Sequence, residues 1–310
     1  MKVLFVSSGN SANGISPIIL NQGASLQNQG VSVTYFTIKG KGIRGYLKAI
    51  PKLQKFIKDN KFDIIHAHYS LSAFVATLSG AKPLVVSLMG SDVKSKKYFK
   101  LFIKLFNKFS WAKIIVKSED MKLSLGIKEV EIIPNGVDFD RFLPIDGKIS
   151  LIETGWDTTK KHVLFAANPE RYVKNFKLAK DAFDLLNRSD IDLHFLNEVP
   201  NVQLPFYFNA ADVVLLTSLW EGSPNVIKEA MACNRPIVST DVGDINNLIG
   251  KTEGCYISSF DPKDIMIKIK KAVNHKLDTK GREDVKHLKS NEISQKIINL
   301  YLNVIEKKIS

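Results

Sequence analysis

The sequence predicts an α/β protein made of two doubly wound domains. Three observations carry that prediction. Short, continuously apolar, β-branched runs alternate with amphipathic stretches, the pattern of parallel strands covered on both faces by helices. The alternation runs through the chain twice, with a lapse in the middle. A length of 310 residues exceeds most single cores and suits two domains.

In the first half the strand candidates are KVLFVS, VSVTYF, DIIHAH, PLVVSL, KIIVK and VEIIP. Amphipathic stretches from Ser16 to Gln29, Gly45 to Asn60 and Lys94 to Trp111 lie between them. In the second half the candidates are HVLFAA, IDLHFL, ADVVLLTS, RPIVST and GCYISS. Periodicity lapses between Asp140 and Lys161, through IDGKISLIETGWDTTKK, so domains are expected over residues 1–145 and 146–292. From Asn291 to Ile309, apolar residues Ile293, Ile297, Leu300, Tyr301, Val304 and Ile305 recur at helical spacing. In such folds a ligand sits beyond the carboxyl ends of the strands, in the cleft between domains, which directs attention to residues just after strands.

Hydrophobic content of 45% and charged content of 24% exclude a disordered chain. The net charge of +13 and isoelectric point near 9.5 point to an acidic partner. Aromatic RNA-binding motifs are missing, which favours phosphorylated substrates or anionic lipid over nucleic acid. Two cysteines, Cys233 and Cys255, indicate neither a disulfide framework nor a zinc cluster, so no metal site is expected and a reducing cytoplasm fits. The apolar run of MKVLFVSS stops at Ser7, as a buried first strand does and a signal peptide does not. No window approaches the roughly 18 apolar residues of a membrane span.

EGSPNVIKEA, residues 221–230, is the most informative stretch. Ser223 suits an N-cap and Pro224 the first helical position, leaving the amides of Asn225, Val226 and Ile227 without helical acceptors. Such a terminus attracts phosphate. A capping box would need Glu or Gln at position 226, where Val226 stands, so neither glutamate is a capping acid. Glu221 and Glu229 then flank the anion, and carboxylates accept paired hydrogen bonds from vicinal hydroxyls. Phosphate between two polyols describes a sugar nucleotide; two solvated glutamates around an ordinary helix start are the competing reading.

SSGNSANGISP runs from the first strand through a glycine loop to a second Ser-Pro helix start at Ser16-Pro17. Gly9 and Gly14 are too far apart for a dinucleotide fingerprint, so the loop either makes a tight turn or approaches a ligand closely. Arg171 and Lys174 follow the first strand of the second domain and either hold a diphosphate or face solvent. His66 and His68 end a strand, and alternation is expected to send one into packing and the other to the cleft rim. Asp92, in MGSDV, is either an acceptor-side carboxylate or a helix cap. Lys97, Lys100, Lys104 and Lys108 form a stripe beside Phe99, Phe102 and Phe106, the pattern of a helix on anionic lipid or of a packed helix with a basic face. Lys39, Lys41, Arg44, Lys48, Lys52 and Lys55 add charge to the same domain.

EGSPNVIKEAMACNRPIVSTDVGD resembles the E-x7-E region of retaining glycosyltransferase family 4, whose GT-B fold sets two Rossmann-like domains face to face across a cleft. PNGVDFDRF is similar to that family's interdomain segment. VLFVSSGNSANGIS, DIIHAH and VLFAANPERYVKN match its other blocks in order and spacing. The resemblance implies a retaining hexosyltransferase that moves sugar from a nucleotide donor to an acceptor hydroxyl without a metal or other cofactor. Carried over, it gives Glu221 the donor-sugar hydroxyls and Glu229 the ribose. Ser223 and the amides of Asn225 to Ile227 take sugar and phosphate, Lys174 the diphosphate, and Asn197 to Val199 the base. The Gly14 loop and acceptor-side His68 and Asp92 lie in the first domain, and a helix over 293–310 crosses back onto it.

Two positions depart from the family pattern. Ala167-Asn168 replaces the usual Gly-Arg, with Arg171 the candidate substitute, and Met89 stands where a histidine is common. The expected setting is cell-surface polysaccharide or glycolipid assembly on a glycan or lipid-linked acceptor, in the cytoplasm or peripherally on the inner membrane face. A non-catalytic sugar-nucleotide-binding module and a sugar-nucleotide epimerase are the alternatives.

Overall fold

The computed structural model describes residues 1–10, 14–40, 42–90, 92–93, 97–275 and 278–309. Lys41 and the side chain of Lys97 lie outside the described set. The chain forms two compact units, Met1–Gly136 with the segment from Ser290, and Val137–Lys289.

The first unit contains β1 (Lys2–Ser8), α1 (Pro17–Gln27), β2 (Ser32–Ile38), α2 (Gly42–Asp59), β3 (Ile64–His68), α3 (Ser70–Leu78), β4 (Leu84–Ser87), α4 (Lys97–Phe109), β5 (Lys113–Val116), α5 (Glu119–Leu125) and β6 (Glu131–Ile132). Its strands pair in parallel in the order β2-β1-β3-β4-β5-β6. Alternate side chains point to opposite faces. Leu4, Val6, Ile65, Val86, Ile114 and Val116 therefore pack with residues of α2 to α5 in one core. Phe5, His66 and His68 point the other way, toward the C-terminal helix.

The second unit contains α6 (Gly147–Thr154), β7 (Lys161–Phe165), α7 (Phe176–Asp184), β8 (Ile191–Phe195), α8 (Leu204–Ala210), β9 (Val213–Leu216), α9 (Asn225–Ala232), β10 (Ile237–Thr240), α10 (Ile245–Ile249), β11 (Cys255–Ser258), α11 (Pro262–Val273) and α12 (Gly281–Asp284). Its parallel order is β11-β10-β9-β7-β8. Val163, Phe165, Val213, Leu215 and Val238 meet α7 and α11 in one core. The chain leaves β7 for β8 on one side and returns to β9 on the other. The carboxyl ends of β7 and β9 thus flank a topological switch point, where ligands of open α/β sheets bind.

Two expectations about the middle of the chain are corrected. IDGKISLIETGWDTTKK contains α6, whose Asp146 carboxylate accepts the amides of Lys148 and Ile149 and whose C-cap Gly155 is left-handed at φ 68°. The helix is too short for its period to register in the sequence. The division between units falls at Val137, before Asp140, because Arg282 donates to the carbonyls of Phe139 (2.9 Å) and Phe142 (2.6 Å) and binds that segment into the second unit.

The last helix, α13 (Ser290–Ile309), belongs to the first unit and packs against α1. Its Tyr301 hydroxyl meets His66 Nδ1 at 2.5 Å, and His66 Nε2 meets Ser87 Oγ at 2.8 Å. The expectation that one histidine reaches a rim fails for a simple reason. Residues 66 and 68 are two apart on a strand and share a face. Both rings are fully buried and stack at 4.3 Å. Burial pushes His66 well below its ordinary pKa and His68 to about 3, with Lys117 adding repulsion to each.

Both rings fold neutral, whereas the unfolded chain takes up protons below about pH 6.5. This contribution is intact above that pH and is lost as pH falls toward 3, by up to about 1.4 kcal/mol per unit for each ring. Thermal unfolding followed from neutral to acid pH should show the first unit weakening below about pH 6.5. His68→Gln should remove part of that slope; an unchanged slope would mean the rings are protonated in the folded state.

Candidate functional site

The strand ends at the switch point are fastened together by side chains. After β7 the chain makes a short 3₁₀ turn, Tyr172–Lys174. Thr217, just past β9, donates to the carbonyls of Lys174 (3.1 Å) and Asn175 (3.0 Å). The Leu219 amide donates to the Val173 carbonyl. These bonds aim Lys174 inward, where it is 7% exposed. Its Nζ pairs with Glu221 Oε1 at 2.6 Å, and Ser218 Oγ donates to the same oxygen at 2.7 Å. Lys174 is therefore not the solvated surface lysine that its composition background suggested.

The loop carrying Glu221 is held from below by Gly243. A Cβ there would meet the Gly222 carbonyl oxygen at 2.8 Å and the Glu221 carbonyl oxygen at 2.9 Å, and its φ of +65° itself favours glycine. Thr240 Oγ1 donates to the Ser218 carbonyl, tying the end of β10 to the same loop.

The opening of α9 differs from the capping scheme. The helix starts at Asn225 with Pro224 in the cap position. Ser223 does not cap it, because its hydroxyl donates to Asp244 Oδ2 at 2.6 Å. A carboxylate is the stronger acceptor and leaves the first-turn amides of the helix unserved by Ser223. Lys228, fully buried within α9, is lowered by burial to about 8, opposed by Asp244 and Glu229. Asp244 is raised by burial, opposed chiefly by Lys228.

Glu229 is treated in the opposite way to Glu221. Its side chain keeps some accessible surface, yet the protein packed around it desolvates the carboxyl and raises its pKa to about 7. The charges of Arg141 and Lys228 oppose that rise. Among the described residues no hydrogen bond or ion pair reaches this carboxyl group. Arg141 donates through Nη2 to the Asn201 carbonyl, while its buried Nε has no acceptor.

The loop carrying Glu221 and the helix start fall within the span matched by a family model. The model for glycosyl transferases group 1 matches residues 177–275, and that for Glycosyltransferase Family 4 matches residues 18–141. The chain belongs to glycosyltransferase family 4. It is 28% identical over 259 residues to the UDP-Gal:alpha-D-GlcNAc-diphosphoundecaprenol alpha-1,3-galactosyltransferase of Escherichia coli, covering 67% of this chain and 65% of that protein. Sucrose-phosphate synthase from Thermosynechococcus elongatus superposes with a TM-score of 0.83 at 16% identity, over 99% of this chain and 100% of that one. Anabaena HepE in complex with UDP-glucose superposes with a TM-score of 0.78 at 16% identity, over 98% and 100%. The fold is GT-B.

Against the family pattern, Lys174 and Glu221 are brought together as an ion pair, and Glu229 lies in the helix that Asn225 to Ile227 open, with Ser223 just before it. Asn197 is exposed after β8, and its Oδ1 accepts from Asn168 Nδ2 at 3.1 Å. Asn168, standing where family 4 often has arginine, thus links this loop to the loop after β7, and Val199 lies half-buried two residues on. Arg171 does not join the group. Its side chain is exposed and forms no hydrogen bond or ion pair with Lys174, Glu221 or Glu229 among the described residues. Arg141 is, with Lys228, a cation whose charge reaches Glu229, and the PNGVDFDRF segment was its sequence signal.

In the first unit, Gly14 adopts φ +78° with open space where a Cβ would lie. His68 is buried, as described. Asp92 acts as a brace: Oδ1 accepts the Ser70 amide (2.9 Å) and hydroxyl (2.7 Å), and Oδ2 accepts the Met89 amide (2.8 Å). Its two oxygens join the loop after β4 to the start of α3.

Since Arg141 holds the Glu229 pKa down, Arg141→Met should move it above about 7. Carboxyl ¹³C resonances of labelled glutamate, followed through a pH titration, would show it. A value that fails to move would remove Arg141 from the electrostatics of the site.

Proposed function

We propose that the protein transfers a hexosyl group from a nucleotide sugar to an acceptor hydroxyl, with retained anomeric configuration and no metal in the reaction. One observation carries the reading: a carboxyl group desolvated by packing, with no hydrogen-bond or ion-pair partner among the described residues, one turn inside a helix whose first turn Ser223 does not cap. Glu229 would accept the paired ribose hydroxyls, and the amides of Val226 and Ile227 the diphosphate. Lys174 would add positive charge near the diphosphate while holding Glu221 toward the sugar hydroxyls. Asn197 to Val199 would meet the base.

In the reaction, the bond between the anomeric carbon and the leaving phosphate oxygen breaks as the acceptor oxygen bonds to that carbon on the same face. The acceptor proton passes to the departing phosphate oxygen. Amide dipoles and Lys174 stabilise the charge that develops there, so no separate general base is assigned. The donor and acceptor in the Escherichia coli relative's name and the ligand of Anabaena HepE recommend uridine diphosphate sugars as first probes and a lipid-linked glycan as acceptor class.

Donor affinity should follow the charge on Glu229. The carboxylate accepts hydroxyl donors, and protonation below about 7 takes that capacity away. Calorimetry with UDP-glucose and UDP-galactose should show affinity falling as pH drops from about 8 to about 6, toward about tenfold per unit. Glu229→Gln should weaken binding roughly 10- to 100-fold at the higher pH and flatten the dependence. Equal affinity across that range in the unaltered protein would count against the ribose assignment.

The basic first unit supports a peripheral membrane setting. Helix α4 has two apolar faces. Ile103 is fully buried, whereas Leu101 (68%), Phe102, Leu105 and Phe109 (70%) are exposed beside the exposed Lys104 and Lys108. Lys100 turns inward instead, its Nζ donating to Ser124. Helix α2 adds exposed Ile43 and Leu47 among Arg44, Lys48 and Lys52. No described helix is long and apolar enough to cross a membrane. This arrangement suits a surface resting on anionic lipid. The protein should float with phosphatidylglycerol vesicles and stay behind with phosphatidylcholine, and Leu101→Gln with Leu105→Gln should abolish flotation. Indifference to lipid charge would remove the membrane setting and leave the transfer reading intact.

A further inference from the structure

His162 and Asp192 are register partners on the neighbouring strands β7 and β8, and His194 lies two residues beyond Asp192. All three side chains consequently share one face of the sheet. It is the face opposite the core formed with α7 and α11. His162 and Asp192 sit near the starts of their strands, at the other end from Asn168 and Lys174.

The donor atoms converge. His162 Nδ1 lies 3.0 Å from His194 Nε2, and one ligand atom from each of His162, Asp192 and His194 lies within 4.8 Å of the others. The orientation of the first ring is fixed from behind. His162 Nε2 is 2.9 Å from the Asp157 carbonyl oxygen. A carbonyl only accepts, so Nε2 carries the proton and Nδ1 presents a bare lone pair to the cluster. A backbone carbonyl behind an imidazole is how metal-binding histidines are commonly oriented. Trp156 stacks on His194 at 3.7 Å with an interplanar angle of 10°, which holds the second ring. His162 is buried, while His194 and Asp192 are half-exposed and leave a route in.

We propose that His162, Asp192 and His194 bind a zinc-like divalent transition-metal ion, through two imidazole nitrogens and one carboxylate oxygen. Two nitrogens about 2.05 Å from a tetrahedral ion stand roughly 3.3 Å apart, so the rings need move only a few tenths of an ångström. Lys160 Nζ already pairs with Asp192 Oδ1 at 2.9 Å, which neutralises part of the carboxylate and leaves Oδ2 for the ion. Two neutral nitrogens with one carboxylate and open positions suit zinc, cobalt(II) and iron(II) better than calcium or magnesium. The ion would clamp the turn before β7 to β8 and take no part in sugar transfer. The proposal stands whether or not the donor reading does.

The test uses untagged full-length protein stripped with a chelator and desalted, with cobalt(II) chloride or zinc chloride as the only addition. Cobalt(II) should bind in equimolar amount, give a visible ligand-field band and quench emission that is absent in Trp156→Phe. Zinc should displace the band and raise the melting temperature. Asp192→Asn should weaken binding by about tenfold or more. His194→Gln should abolish the band with circular dichroism unchanged, whereas His275→Gln and His287→Gln should retain it. Absence of saturable binding, or binding that survives His194→Gln, would overturn the proposal and reduce the contact between the rings to a hydrogen bond.

Discussion

A 2.6 Å ion pair between Lys174 and Glu221 fixes the geometry on which the candidate site depends. It joins the loops leaving adjacent strands β7 and β9, and both partners are largely buried. Such a pair gives little net stability, because withdrawing two charges from water costs about what their attraction returns. Its consequence is positional. Glu221 has one oxygen fully engaged, and the loop running from it into α9 has its course set by Gly243, Thr240 and Ser223. Breaking the pair from one side would strand a charge, which costs about 3–5 kcal/mol in comparable settings.

The two glutamates of the E-x7-E spacing end up in contrasting states. Glu221 has one oxygen held by Lys174 and Ser218. Among the described residues Glu229 has no hydrogen-bond or ion-pair partner, and desolvation raises its pKa to about 7. The residue keeps some accessible surface, so a ligand can reach it. The same helix buries Lys228, whose charge is set against Asp244 and Glu229, so a balanced group of charges lies just behind the start of α9. The raised Glu229 pKa also follows from this arrangement, since Arg141 and Lys228 offset only part of the desolvation.

Much of the fold was legible in the sequence because strand cores are local. Each of the strand candidates, from KVLFVS to GCYISS, became a strand, since continuous apolar β-branched runs have few other stable uses. Helix α6 was not legible: eight residues capped by Asp146 and Gly155 carry too weak a period. The site was legible in its residue types and partly hidden in its partners. Ser223 read as a cap because Asp244, distant in sequence, is invisible to local reasoning. Arg171 looked nearer the site than Arg141 because sequence proximity to a strand end stood in for direction. His68 does not reach a rim, because strand alternation places residues 66 and 68 on one buried face. The His162, Asp192 and His194 cluster has no local signature, because its histidines are 32 positions apart.

The most direct measurement is a thermodynamic cycle between Glu229 and the ribose hydroxyls. Affinities of uridine diphosphate and its 2′,3′-dideoxy analogue would be compared in the unaltered protein and in Glu229→Gln at about pH 8. If this carboxylate grips the hydroxyl pair, the two losses should be strongly non-additive, with a coupling of about 1.5–3 kcal/mol. Additive losses, or an analogue that binds the unaltered protein as tightly as the parent nucleotide, would contradict the account.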